Sequence, residues 1–158
     1  MKALVIFEKT VARAAEAVAQ GLKEAGMEFD SVDASAAPAT EAYSLVFIGA
    51  SAGMTGVGKE AAALLGKNNW AGKSVALFFV VDSFGKKALE SAAVGLAARG
   101  AFVKGTIGLR RGGFLGLGAL LEIELARAQA FGERTANSVR GIRVRKAQEK
   151  ARIRFYKK

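Results

Sequence analysis

The stretch VALFFVV, residues 75–81, is the longest unbroken apolar run in the chain. Two similar runs, ALVIF at 3–7 and LVFI at 45–48, are likewise wholly apolar and contain Val, Ile, Leu and Phe. None of the three alternates apolar with polar residues, which is typical of parallel strands that are covered on both faces. We therefore predict that these runs form the interior of a parallel β-sheet.

Two further segments, Met27–Val32 and Ala101–Leu109, alternate more and are predicted as peripheral strands. Segments with a helical apolar stripe lie between and after the strands, at 12–22, 61–65, 87–99 and 121–131. Alternation of strands with helices predicts an α/β protein with a doubly wound parallel sheet.

The residue types present exclude several kinds of chemistry. Among 158 residues there is no cysteine and no histidine, which excludes disulfides, thiolate nucleophiles, Ser–His–Asp catalysis and the usual zinc sites. We predict no catalytic residue and no metal site, so that any chemistry would come from a bound organic cofactor or from carboxylates, lysines, tyrosines and hydroxyls. No apolar run is long enough to span a membrane and no secretory signal is recognisable, so we expect a cytoplasmic protein.

Positive charge is concentrated at the C-terminal end. The chain carries a net charge of +10, and residues 137–158 contain nine basic residues and one acidic residue, a net +8, which leaves +2 for residues 1–136. We predict a domain at 1–137 and a basic extension at 138–158 that forms an amphipathic helix.

The basic extension has several possible partners. It could bind nucleic acid or an acidic protein, lie at an anionic membrane surface, dock on the domain or contact a neighbouring subunit. The basic residues predicted to contact a nucleic acid or an anionic partner are Arg140, Arg143, Arg145, Lys146, Lys150, Arg152 and Arg154.

A set of segments distributed along the domain resembles the flavodoxin-like family. They are KALVIF (2–7), AEAVAQGLKEAG (15–26), YSLVFIGAS (43–51), WAGKSVALFFVVDSFGKKALESAAVGLAARGA (70–101) and ARAQAFGERTAN (126–137). The resemblance covers residues 1–137 and implies a three-layer sandwich, in which a five-stranded parallel sheet of order 2-1-3-4-5 has helices on both faces. Family members typically bind FMN, and they carry electrons or reduce small acceptors.

In this strand order, ligands bind at the carboxyl ends of the strands, between the first and third strands. The loops at that place are 8–12, 50–58 and 82–86. In the family the first loop is usually of the form S/T-x-T-G-x-T, which wraps the phosphate. Here it is the shorter EKTVA, which offers one hydroxyl, at Thr10. The carboxylate of Glu8 would repel a phosphate that faced the same pocket, although the helix N-terminus, Lys9 and Arg13 could offset part of this repulsion. The alternative interpretation is that Thr10 only caps the first helix.

The second and third loops match a flavin better. SAGMTGVGK at 51–59 has glycines that allow close approach to a flat ring, and Met54 stands where the family often places an aromatic residue. The alternative interpretation is a plain glycine-rich connection between a strand and a helix. In VDSFGKK at 81–87, Phe84 could flank the ring, although Ser83 and Phe84 could equally cap and staple the following helix. The residues predicted to bind FMN are Thr10, Val11, Ala12, Ser51, Ala52, Gly53, Met54, Thr55, Asp82, Ser83, Phe84 and Gly85.

Two hypotheses for the function follow. In the first, the chain binds FMN and exchanges electrons with a redox partner protein or reduces a small acceptor. In the second, it keeps the fold without the flavin and acts as a binding or assembly module through its basic extension. The glycine-rich segment RRGGFLGLGA at 110–119 would suit either a loop over the ligand or a subunit contact, and its Arg110 and Arg111 could bind a phosphate or an acidic partner. The oligomeric state stays open.

Overall fold

The computed structural model describes residues 1–67, 69–113 and 118–141, with the backbone alone at Lys67. The strands are β1 (Lys2–Phe7), β2 (Glu28–Asp33), β3 (Leu45–Gly53), β4 (Gly56–Val57), β5 (Ser74–Val81) and β6 (Phe102–Arg110). The helices are α1 (Ala12–Glu24), α2 (Lys59–Lys67), α3 (Lys86–Ala98) and α4 (Glu122–Val139). Short 3-10 turns at Lys9–Val11 and Ala34–Ala36 follow β1 and β2.

Five of the six strands are parallel and lie in the order β2-β1-β3-β5-β6. The two-residue strand β4 pairs only with the end of β3, antiparallel to it. Without β4, the order is the predicted 2-1-3-4-5, and the fold prediction is confirmed. The three apolar runs become β1, β3 and β5 in the middle of the sheet, as predicted.

Two helices cover each face of the sheet. On one face α1 and α4 enclose a core that includes Phe47, Phe78 and Phe131, and the rings of Phe47 and Phe131 meet edge to face with centroids 6.0 Å apart. On the other face α2 and α3 cover a core that includes Phe79 and the fully buried Trp70. Since both faces are covered, the central strands can be apolar at nearly every position.

The helices α1 and α4 pack closely because each has a glycine at the contact. A side-chain carbon added at Gly21 would collide with the carbonyl of Gln129, and one added at Gly132 would collide with the carbonyl of Val18. These glycines therefore let the two backbones approach and fix how α4 lies beside α1.

Some boundaries differ from the predicted ones. β3 continues to Gly53, so Ser51, Ala52 and Gly53 belong to a strand rather than to a loop, and the hairpin formed with β4 was not predicted. α4 ends at Val139, and the division of the chain into a domain at 1–137 and an extension at 138–158 stays a prediction. The rest of the basic extension, 142–158, lies outside the described residues, and its predicted helix stays a prediction. No helix of the described part of the chain is both long and apolar enough to cross a membrane.

Candidate functional site

The ends of β1, β3 and β5 surround a cavity of about 470 Å³. It lies at the carboxyl edge of the sheet and extends across the place between β1 and β3 where the strand order reverses. Ligands of such sheets are expected there. Its size is typical of small-molecule sites. The lining residues are Thr10, Ser51, Ala52, Gly53, Thr55, Gly56, Val57, Gly58, Lys59, Val80, Val81, Asp82 and Arg111.

Glu8, the first residue after β1, is buried beside this cavity. Only 4% of its surface is exposed, and its Oε1 accepts a hydrogen bond of 3.0 Å from the backbone N–H of Ser51. Both carboxylate oxygens lie against Gly58, where a side-chain carbon would collide with them. The carboxylate therefore fills the space between the end of β3 and the start of α2, behind the cavity wall formed by Ser51 and Gly58.

The first loop is closed by its own backbone. The N–H of Val11 donates to the carbonyl of Glu8 at 3.0 Å, and the N–H of Ala12 donates to the carbonyl of Lys9. Val11 is the N-cap residue of α1, and no side chain caps the helix. The alternative interpretation of Thr10 as the N-cap is therefore wrong, because Thr10 lies within the 3-10 turn that precedes the helix.

The third loop approaches the end of β3 as closely as the first does. Asp82 lies over Gly53, where a side-chain carbon would be 2.7 Å from its Oδ2, and its Oδ1 accepts a hydrogen bond of 2.8 Å from the backbone N–H of Phe84. Gly85 lies directly against the carbonyl of Ala52. These contacts of Asp82 and Gly85 hold the third loop against the end of β3.

A second cavity of about 660 Å³ adjoins the first and shares Gly53 and Gly56 with it. Met54 and Phe84 line it from opposite loops, and 78% and 61% of their respective surfaces are exposed. Large apolar side chains are normally buried, so two exposed ones that face one cavity indicate a surface suited to an apolar or aromatic ligand. The staple interpretation of Phe84 is not supported, since a stapled side chain would be covered.

Charged groups at the first cavity are balanced. Lys59 and Arg111 line it, as does Asp82, and the Glu8 carboxylate lies behind the wall. The lining therefore carries two formal positive charges and one negative charge, and the second negative charge, of Glu8, lies just behind it. Nη2 of Arg111 also lies 3.4 Å from the carbonyl oxygen of Thr10, and this contact joins the segment after β6 to the first loop.

The structure divides the twelve predicted residues into three groups. Six of them line the first cavity: Thr10, Ser51, Ala52, Gly53, Thr55 and Asp82. The second cavity is lined by Gly53 again and by Met54, Ser83 and Phe84. Neither cavity is lined by Val11, Ala12 or Gly85. Val11 is buried in the core beneath α1. The prediction that these residues bind FMN stays a prediction.

Seven residues that line the first cavity were not among the predicted ones: Gly56, Val57, Gly58, Lys59, Val80, Val81 and Arg111. Lys59 lines the first cavity from the start of α2, and Val80 and Val81 line it from the end of β5. A lysine directly after a glycine-rich connection was the available signal for Lys59. The valines gave none, because they belong to a run that is apolar for the sake of the core.

A further carboxylate marks the end of β2. Asp33 accepts a hydrogen bond of 2.8 Å from the backbone N–H of Ser35, which lowers the pKa of Asp33. At the same edge strand, the hydroxyl of Tyr43 donates to Asp30 at 2.7 Å, and this bond, with the nearby ammonium of Lys2, lowers the pKa of Asp30. Both carboxylates contribute to the local structure of the edge and lie outside the cavities.

Comparison with solved structures finds clear similarity of fold at low sequence identity. A flavodoxin from the domain Archaea is 17% identical with a TM-score of 0.73, and the alignment covers 89% of this chain and 99% of that one. The two-electron reduced flavodoxin of Megasphaera elsdenii is 18% identical with a TM-score of 0.64, over 87% of this chain and 99% of that one. The flavodiiron protein of Giardia intestinalis is 18% identical with a TM-score of 0.69, over 89% of this chain and 36% of that one.

Comparison of sequences adds nothing to this result, since no protein-family model and no curated protein matches the chain. The strand order and the arrangement of helices agree with the structural similarity. The chain therefore has the flavodoxin-like fold.

Proposed function

We propose that this chain binds a flavin at the carboxyl edge of its sheet and acts in electron transfer or in the reduction of a small acceptor. The observation that carries the proposal is the pair of adjoining cavities at this edge, with exposed Met54 and Phe84 on the second. When bound, the flavin would supply the redox chemistry, and the protein would orient the ring and tune its surroundings.

The ring of a flavin fits the residues that are present. Gly56 belongs to both cavities and has open space where a side chain would lie, so the backbone can approach the face or edge of a flat group there. The thioether of Met54 and the ring of Phe84 offer surfaces that pack on an aromatic system. Near the ring, Ser83 and the backbone of 53–56 offer polar groups for its hydrogen-bonding edge.

The phosphate of FMN does not fit the first loop, where the family resemblance would put it. The N–H groups of Val11 and Ala12 are engaged within the turn, and Thr10 is the loop's one hydroxyl. The buried carboxylate of Glu8 stands beside this position. The field of a helix N-terminus contributes only about 0.3–2 kcal/mol, which cannot replace a full set of phosphate donors.

Flavin binding is tested directly by spectroscopy. Protein purified from cells is examined for visible absorbance, and the flavin-free form is titrated with riboflavin and with FMN while flavin fluorescence and protein unfolding are followed. We expect saturable one-to-one quenching of at least one of the two flavins. A folded protein that takes up neither flavin would refute the proposal.

A second candidate function, that of a flavin-free binding or assembly module, is supported by the separation of charge along the chain. Residues 137–158 carry +8, while residues 1–136 carry +2. Such a segment is suited to a polyanion, and its binding to duplex DNA would weaken with salt at a log–log slope of about −0.9 per phosphate neutralised. The cytoplasmic location and the partners expected from the sequence stay predictions.

Charge-neutralised variants test this second function in the full chain. One variant replaces six basic residues of the extension by glutamine: Arg143, Arg145, Lys146, Lys150, Arg152 and Arg154. A matched control replaces six exposed basic residues of the domain: Arg13, Lys23, Lys86, Lys87, Lys104 and Arg134. On heparin, we expect the first variant to elute at clearly lower salt than the control. Equal elution would argue against a specific role of the extension.

A further inference from the structure

The buried carboxylate of Glu8 bears on which flavin the site can take. It lies directly after β1, in the loop where the resemblance would put a phosphate, and it already accepts the backbone N–H of Ser51. Both of its oxygens are also packed against Gly58, just before α2. The negative charge of Glu8 therefore lies directly behind the wall formed by Ser51 and Gly58, where it would repel a phosphate bound in the first cavity.

From this geometry we propose that the site takes a flavin without a phosphate, namely riboflavin, rather than FMN. The inference rests on the proposed function, since it concerns the same cavities. Riboflavin and FMN share the ring and the ribityl chain and differ only in the terminal phosphate. The pair therefore isolates the phosphate as the discriminating group.

The charges around the first cavity favour a neutral ligand for the same reason. Lys59 and Arg111 are offset by Asp82 and Glu8, so the cavity has no surplus of positive charge for a dianion. The hydroxyls of Thr10, Ser51 and Thr55 belong to residues of its lining. Hydroxyl groups of this kind suit the alcohols of a ribityl chain, which donate and accept hydrogen bonds without net charge.

The test compares dissociation constants for riboflavin and FMN in one assay, by quenching of flavin fluorescence. For the unmodified chain we expect riboflavin to bind at least as tightly as FMN. The proposal is overturned if FMN binds more than about threefold tighter, which would mean that Lys59 and Arg111 outweigh the two carboxylates and hold the phosphate. If neither flavin binds, the proposed function falls together with this inference, whereas an FMN preference removes only the inference.

The variant Glu8→Gln tests the cause. It removes the charge and keeps a side-chain oxygen that can accept the N–H of Ser51. We expect the affinity for FMN relative to riboflavin to rise about 3- to 30-fold, as one unit charge near the phosphate is removed. The control Glu16→Gln makes the same change of charge on the exposed side of α1 and should leave the ratio within about twofold. An equal effect of the two variants would contradict the inference, and the ratio for the unmodified chain decides the matter if Glu8→Gln does not fold.

Discussion

The end of β1 and the ends of β3 and β5 lie at the same edge of the sheet, but they differ in how much space they leave for a ligand. At the end of β1 the chain turns at once into α1, and a buried carboxylate takes up the space beside the turn. At the ends of β3 and β5, glycines and exposed apolar side chains leave two adjoining cavities. The two halves of this edge therefore depend on different loops, so a substitution can alter one half and leave the other in place.

The largest expected effect concerns the closed half, at Gly58. In Gly58→Ala the new methyl group would meet the carboxylate of Glu8, which cannot move without losing its bond to Ser51. We expect a loss of about 3 kcal/mol in the free energy of unfolding, measured by urea denaturation. The control Gly66→Ala, in α2 and with open space around it, should gain about 0.5–1 kcal/mol. A harmless Gly58→Ala would show that the carboxylate is not held where we describe it.

Removal of the carboxylate itself should have the next largest effect. Glu8→Ala leaves the N–H of Ser51 without its acceptor, which should lower the free energy of unfolding by about 1–3 kcal/mol. The control is Glu16→Ala, at an exposed position of α1, which should change the free energy of unfolding by less than about 0.5 kcal/mol. Urea denaturation of both variants measures the difference, and similar values for the two would mean that the burial of Glu8 brings no stability.

The open half is tested by flavin binding. Phe84→Ala removes the exposed ring beside the second cavity, and we expect riboflavin to bind about three- to tenfold more weakly while stability changes little. Phe102→Ala removes an exposed phenylalanine at the start of β6, which does not line either cavity, and should leave the dissociation constant unchanged. Equal weakening by both substitutions would place the flavin elsewhere.

The smallest expected effect concerns the neighbouring carboxylate, Asp33 at the end of β2. Its pKa is lowered in the folded chain by the N–H of Ser35, so its contribution is present at neutral pH and is lost as the pH falls below about 4. In Asp33→Asn we expect a smaller loss of stability between pH 7 and pH 3 than in the unmodified chain. Urea midpoints at the two pH values measure it, with Glu16→Gln as the control. An unchanged difference would argue that this hydrogen bond does not favour the charged form.

The sequence predicts the sheet well because the central strands are continuous apolar runs. Residues 75–81 are apolar for a reason that acts locally, namely that a strand covered on both faces needs apolar side chains on both. The order of the strands followed from the resemblance, and the structure confirmed it.

The state of the site was harder to predict, because it depends on contacts between distant residues. Glu8 is buried through Ser51 and Gly58, which lie 43 and 50 positions further along the chain. Nothing in EKTVA alone distinguishes a carboxylate that faces a ligand from one that is packed behind the wall. The hairpin of β4 escaped prediction for a similar reason, since its two residues form a strand only by pairing with the end of β3.

The side chain of Arg140 donates a hydrogen bond to the carbonyl of Ala25, so the last described residues lie beside the C-terminal end of α1. α1 starts beside the cavities and runs back along the sheet, so Ala25 marks the opposite end of the molecule. A polyanion bound close to Arg140 would therefore lie at the end of the domain opposite the two cavities, and the edge at which we propose a flavin would stay exposed. Binding of the polyanion and the proposed electron exchange would then take place at opposite ends of the domain and would not compete for the same surface.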